Sequence, residues 1–256
     1  MKKLGMLVGG LFFLFCLTPA LAAKRVMTVK MGGGEARVST LIGKAQVTSA
    51  DGISTRPLRW NDRLHGGDEV ATEARSKLEL LLPDSSRIRF GENTRFRILE
   101  VHSEAENSSA GVRVYVTLGK AWANVARIAG RRGAFELQSE NAVAGVRGTI
   151  YRMNVENDQS ALVKVYDGQV CVSGGGKSEK AAPAAIGPPS KISGPRPVPG
   201  PRKVSMEEWT VLVQAMHQIS INADGTPGKP IDFKRDEDRD EWVDWNRARD
   251  EAKDSG

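Results

Sequence analysis

Between residues 36 and 176 apolar and polar side chains alternate with a period of two, the mark of half-buried strands. The stretch SKLELLLPDSSRIRF, residues 76–90, is the plainest case. Leu78, Leu80 and Leu82 alternate with Lys77, Glu79 and Leu81. Pro83-Asp84-Ser85-Ser86 supplies turn chemistry, and Ile88 and Phe90 then alternate with Arg87 and Arg89. This predicts a hairpin whose two strands lay their apolar sets over one core. A second hairpin is expected where Val163 and Val165 lead into Asp167-Gly168 and Val170 and Val172 return.

The stretch AVAGVRGTIYRMNV, residues 142–155, holds Arg147 between Gly145 and Gly148. Each glycine costs a helix about 1 kcal/mol relative to alanine, so a tight bend is expected. A strand should follow, with Thr149, Tyr151, Met153 and Val155 on one face and Ile150, Arg152 and Asn154 on the other. A short unit recurs as LIGKAQV at 41–47, TLGKAWANV at 117–125 and DGQVCV at 167–172, each with a glycine at a bend before small and β-branched residues. Trp122 is out of phase with Ala121 and Ala123, so it covers an edge or fills a second face. The fold class is all-β: a short-strand, jelly-roll-like sandwich or a β-roll over residues 36–176.

The pattern changes beyond that body. Residues 177–203 hold seven of the twelve prolines and read as a semi-rigid, extended linker. Ser205 with Glu208 forms a capping box, and Trp209, Leu212, Val213, Met216 and Ile219 follow at helical spacing, predicting an amphipathic helix over 204–221. Residues 222–256 form a charged tail, helical over DFKRDEDRDEWVDWNRARDEA at 232–252. Trp242 and Trp245 there share a face, either anchoring a solvated helix or docking another protein.

The N-terminal residues bear on location. MKK precedes the apolar run Leu4–Leu17, and Ala20-Leu21-Ala22 resembles a cleavage site. Residues 1–22 read as a signal peptide and 23–35 as a lead-in, which predicts a periplasmic or secreted protein without a stable membrane span after cleavage. An uncleaved anchor is the alternative. Of two cysteines, Cys16 lies in the apolar run; Cys171 remains, so no internal disulfide is expected. Its parity, opposite to Val170 and Val172, puts a free thiol on the less buried face.

Charge is uneven. Residues 24–203 carry 28 Lys and Arg against 18 Asp and Glu, a formal +10; residues 204–256 carry 7 against 13, a formal −6. A basic body fits a mixed solvated surface, an acidic envelope polymer or the chain's own acidic tail. Nucleic acid is excluded as a partner, because an exported chain rarely meets it and no aromatic-basic motif is present.

Catalytic chemistry finds no support. The three histidines, His65, His102 and His217, are dispersed, and neither a metal-spaced cluster nor a nucleophile elbow occurs. Asp51, Asp62, Asp68 and Asp84 all sit beside turn signals. No catalytic residue, metal or cofactor is assigned. The binding candidates are Arg147 with Thr149, the outward stripe of Arg87, Arg89 and Arg95, and the tail tryptophans Trp242 and Trp245. Arg147 either folds back onto carbonyls or a carboxylate such as Glu140 or Asp167, or grips an anion with nearby backbone N–H groups. The arginine stripe either protects an edge or meets an anionic surface.

The ordered motifs resemble the FecR domain family. Gly67-Asp68-Glu69-Val70-Ala71-Thr72, Ser76, Leu78 and Leu82-Pro83-Asp84-Ser85-Ser86 resemble its front half, with Trp60 and Leu64 ahead of them. Gly119-Lys120-Ala121 resembles its middle, Val146-Arg147-Gly148-Thr149 its most recognisable signature, and Val165–Val170 its close. The resemblance covers about residues 36–174. It implies a non-catalytic envelope binding or sensory-scaffold module. The family's name-giving members regulate iron-siderophore uptake, span the inner membrane and hold a sigma factor in the cytoplasm. This chain is similar only to their periplasmic part, so sigma-factor regulation is not carried over. The expected partner is another envelope protein or, alternatively, an acidic polysaccharide or peptidoglycan bound through the basic body. No oligomeric state is assigned.

Overall fold

The structure is a computed structural model that describes residues 34–101, 111–127, 134–175 and 209–254. The expected signal peptide, nearly all of the lead-in and the proline-rich linker lie outside the described residues. The strands are β1 (Ala36–Ile42), β2 (Ala45–Thr48), β3 (Thr55–Pro57), β4 (Arg63–Leu64), β5 (Glu69–Thr72), β6 (Lys77–Leu81), β7 (Arg87–Phe90), β8 (Arg95–Val101) and β9 (Gly111–Asn124). They continue with β10 (Ala134–Gln138), β11 (Ala142–Val146), β12 (Ile150–Val155), β13 (Ala161–Asp167), β14 (Gln169–Gly174), β15 (Thr210–Gln214), β16 (His217–Ile221) and β17 (Ile231–Asp232). One helix, α1 (Glu241–Asp254), follows.

Two layers are joined by one bent strand. The first sheet runs β4-β1-β6-β7-β9-β12-β13-β16-β17. The second runs β3-β2-β5-β8-β9-β10-β11-β14-β15. All pairs are antiparallel except β9–β10. The early half of β9 pairs with β8 and β10, and the half from Gly119 onward pairs with β7 and β12. Gly119 makes this bend at a φ of 102°. A β-carbon there would sit 2.6 Å from the Thr94 Cα, so only glycine fits.

A single contiguous core takes side chains from both sheets. Phe90 on β7 stacks on Phe96 on β8 across the layers, with ring centroids 3.5 Å apart. Tyr151 meets Phe135 edge to face at 6.4 Å and donates its hydroxyl to the Ala144 carbonyl. Tyr151, Met153 and Val155 face this core, as their parity predicts.

The chain steps between layers repeatedly. The crossings β1–β2, β3–β4, β4–β5, β5–β6, β7–β8, β11–β12, β13–β14 and β15–β16 each carry a positive-φ residue: Gly43, Asn61, Gly67, Arg75, Asn93, Gly148, Gly168 and Met216. Such a residue kinks a strand sharply enough to aim its continuation at the other sheet. The recurring glycine unit of the sequence is therefore a layer-crossing corner, met at Gly43, Gly119 and Gly168. The architecture is all-β, a rolled sandwich.

Three expectations are corrected. The 76–90 hairpin forms as β6–β7, but Asp167-Gly168 does not close a hairpin: β13 pairs with β12 and β16, and β14 with β11 and β15. Period-two parity marks a strand's inner face and leaves its neighbour undetermined. The amphipathic helix expected over 204–221 is not seen where the chain is described, since residues 210–221 form β15 and β16. Their β-branched runs bury Val213, Ile219 and Ile221, and they extend the sheets beyond β14 and β13, so tertiary pairing overrides the helical spacing. The tail helix starts at Glu241, not near 232. Asp240 caps it by accepting from the Val243 N–H at 2.7 Å, and Glu241 and Asp244 place negative charge in the first turn.

Candidate functional site

The Val146-Arg147-Gly148-Thr149 signature is the corner between β11 and β12. Thr149 is buried and donates its hydroxyl to the Gln169 carbonyl at 3.0 Å, tying this corner to the one at Gly168. Arg127 closes the bend, with Nε donating to the Gly148 carbonyl and Nη2 to Asp167, both at 2.9 Å. Glu140 accepts from the Tyr115 hydroxyl at 3.1 Å. Arg147 stands exposed at the surface of the corner. It lines an open groove of about 650 Å³ together with Arg127, Gly145, Gln169, Cys171 and Leu212. Cys171 is an exposed free thiol, as its parity predicts. Leu212 is 54% exposed and lies on β15, which pairs only with β14 among the described residues.

Other signature residues are corner staples. The Thr72 hydroxyl donates to the Gly91 carbonyl at 2.6 Å and accepts from the Thr94 N–H at 2.9 Å. Ser76 Oγ accepts from the Lys44 N–H, and Asp68 from the His65 N–H, each at 2.9 Å. Asp84 caps its own turn at Ser86, whose hydroxyl also accepts from the Ala126 N–H. These short polar side chains satisfy backbone groups where the chain leaves a ladder.

The arginine stripe does not form one face. Arg87 and Arg89 lie on the first sheet and Arg95 and Arg97 on the second, because the chain changes layer at Asn93. Arg97 is bound to Glu69 at 2.6 Å, and Arg95 lies 4.0 Å from the same carboxylate. Arg89 is fully buried.

That burial marks the most elaborate polar site in the described residues. Cross-strand pairing sets Thr40, Glu79, Arg89, Trp122, Arg152, Lys164 and Gln218 side by side in one row on the outward face of the first sheet. The chain from Phe233 to Asp254 covers this row. Asp250 of α1 accepts from Arg89 Nη1 at 2.7 Å, Trp122 Nε1 at 2.9 Å and Asn124 Nδ2 at 2.8 Å. Asp238 accepts from Arg152 at 2.6 Å, Lys164 at 2.9 Å and the Tyr166 hydroxyl at 2.5 Å. Each carboxylate thus sits in a socket of three donors. Arg249 reaches back to Glu79 and Thr40, and Arg89 Nε also meets Glu79 at 2.6 Å.

The charges respond to this packing. Burial raises the Glu79 pKa, but hydrogen bonds from Arg249, Arg89 and Ser39 outweigh it and hold the carboxyl at about 2. Burial acts likewise on Asp238, and the bonds from Tyr166 and Lys164 with the charge of Arg152 leave it below the usual carboxylate range. Burial and the neighbouring Asp238 push the Tyr166 hydroxyl up, so it stays a neutral donor.

Trp242 and Trp245 stack on each other at 5.5 Å, and Trp242 is buried. Its ring lies beside Gly91, where a β-carbon would be in ordinary contact with it at 3.6 Å. Trp122 stacks on Tyr166 at 4.4 Å and fills the second face that its parity allows. With Val243 these rings form a small apolar cluster separate from the main core. Sequence reasoning missed Arg152, Lys164, Asp238 and Asp250. Outward parity placed the first two, but nothing local says that an outward face will be covered.

Among the described residues, no group of three or more His, Cys, Asp or Glu side chains is placed to hold a metal, and no helix is long and apolar enough to cross a membrane. His217 pairs with Asp232 at 2.8 Å.

Residues 68–171 match the family model described as FecR protein, so this stretch is a FecR-like domain. No curated protein matches the chain. Among solved structures it is similar to two crystal structures of a proposed anti-sigma factor from Parabacteroides distasonis ATCC 8503, at 1.65 and 2.50 Å resolution. Each is 18% identical, with a TM-score of 0.41, and the match covers 65% of this chain and 59% of the other.

Proposed function

We propose that the chain is a non-catalytic binding module of the bacterial cell envelope, exported by residues 1–22, and that it binds another envelope protein at the Arg147 corner. The observation that supports this most is the groove between Arg147, Gly145, Cys171 and Leu212. An edge strand with an exposed leucine adjoins a side-chain-free glycine and two guanidinium groups. Such an edge offers backbone groups to an incoming strand, and the exposed Arg147 adds positive charge beside it. An acidic polymer is favoured less, because the arginine stripe is divided between two faces and partly engaged with Glu69.

Cys171 provides the test. A photo-crosslinker attached to this thiol is activated in intact envelopes, in the native chain and in Leu212→Asp and Arg147→Ala variants. The reading requires a discrete protein adduct. Loss of a central contact worth about 1.4 kcal/mol or more would lower the yield about tenfold in each variant. Unchanged melting temperatures would show that the fold is intact. Equal yield from all three proteins overturns the reading. An adduct with carbohydrate that disappears in high salt replaces it with the polymer.

A further inference from the structure

We propose that the outward face of the first sheet is a receptor for an acidic, tryptophan-bearing helical segment of a partner protein, and that the chain's own residues 233–254 occupy it as a displaceable competitor. This rests on a different face from the Arg147 groove and stands independently of that reading.

Four observations carry it. The site is built for carboxylates: Arg89, Trp122 and Asn124 form one three-donor socket, and Arg152, Lys164 and Tyr166 form another. All six donors belong to the body, and both acceptors, Asp250 and Asp238, belong to the tail. Next, the main core takes no residue from the tail: its last residue is Ile221, and Trp242 and Val243 of the tail pack in a separate cluster with Trp122 and Tyr166 of the body. The tail therefore caps a sandwich whose main core it does not enter.

The interface also leaves buried polar atoms unmet. Every buried polar side-chain atom left without a partner among the described residues lies on the row or its neighbouring outward positions, or on the helix above them. They are Arg89 Nη2, Arg152 Nε, Asn154 Oδ1, Gln218 Oε1, Trp242 Nε1, Asn246 Oδ1 and two nitrogens of Arg247. A permanent core rarely leaves such groups unmet, whereas exchangeable interfaces bridge them with water. Last, charge decides the class of partner. A buried guanidinium cannot be left bare, so whatever displaces the tail must bring its own carboxylates. Trp242 and Trp245, packed against Gly91 and Lys77, define the aromatic part of the same requirement.

The geometry makes the cis tail a filter. A partner segment competes with a tethered one, so its apparent affinity falls by the fraction of time the face is open. Only a segment that fills both sockets and supplies the aromatic contacts would prevail.

The test uses the full chain and a fluorescent synthetic peptide of residues 230–256 as the probe. Asp238→Asn with Asp250→Asn weakens the tail in cis. Hydrogen exchange should then show loss of protection over 241–254, and the labelled native peptide should bind this variant with 1:1 stoichiometry and at least about tenfold more tightly than the native chain. A peptide carrying the same two asparagines should not bind. If the variant does not fold, a protease site placed at the exposed residues 228–230 is cut in the otherwise native, folded chain. Dilution should then release the tail fragment, and the native peptide, not the asparagine peptide, should exchange for it. The proposal is overturned if protection over 241–254 survives both substitutions, if the opened face ignores the peptide, or if the nicked fragment never leaves.

Discussion

Arg89 on β7 and Asp250 on α1 lie 161 residues apart in the chain and 2.7 Å apart in space, both buried. Arg89 also holds Glu79, and Asp250 also holds Trp122 and Asn124, so the two are the joint between body and tail.

Asp250→Ala strips Arg89 of one of its two carboxylates and leaves Trp122 Nε1 short of an acceptor. Removing one partner of a buried pair costs about 3–5 kcal/mol, and the lower end is expected because Glu79 still neutralises Arg89. Thermal unfolding of the variant checks this. A melting temperature within a degree of the native value would show that the joint is not holding the tail.

Glu79 makes the same joint sensitive to acid. Its carboxyl titrates near 4.5 when unfolded and at about 2 when folded. The stability it contributes is fully present above about pH 4.5 and drains away as pH falls toward 2, because the unfolded chain takes up the proton first. Asp238 shifts in the same direction. Melting temperature and tryptophan fluorescence followed from pH 6 to pH 2 should show the native protein losing stability across that window. Glu79→Gln should melt lower at neutral pH and show a shallower acid slope.

Thr72→Val keeps shape and removes a hydroxyl that serves both Gly91 and Thr94. A buried amide and a buried carbonyl then lose their partner, at a cost of about 1–3 kcal/mol for the unsatisfied groups. Denaturant unfolding should report a lower midpoint with an unchanged slope.

Glycine corners should differ in tolerance. Gly119→Ala drives a β-carbon into Thr94 at a φ of 102°, and Gly52→Ala meets nothing within 4 Å at a φ of 71°. The first should cost more than about 3 kcal/mol and the second about 1, since only backbone strain applies there. Comparing the two melting curves tests whether the bend in β9 holds the layers together.

Alternation made the strands of the body readable. The 76–90 hairpin, the inward faces of Tyr151, Met153 and Val155, and the exposed thiol at Cys171 all follow from parity. The region 210–221 read wrongly because Trp209, Leu212, Val213, Met216 and Ile219 also satisfy a helical period. Two open sheet edges decided in favour of strands, and a local window cannot see them. Arg89 reads as part of an outward stripe for a related reason: parity says outward, and outward usually means wet.

What the chain's own order of residues determines is local. It sets which face of each strand is apolar, where glycine and asparagine let the backbone turn out of a ladder, and where Asp240 can start a helix. What only the tertiary structure decides is which strands become neighbours and which outward face is covered. A charge becomes buried when its counter-charge arrives from elsewhere in the chain. Here Asp238 and Asp250 arrive from a tail far from the arginines they neutralise, and that meeting depends on the sheet first setting its row of donors side by side.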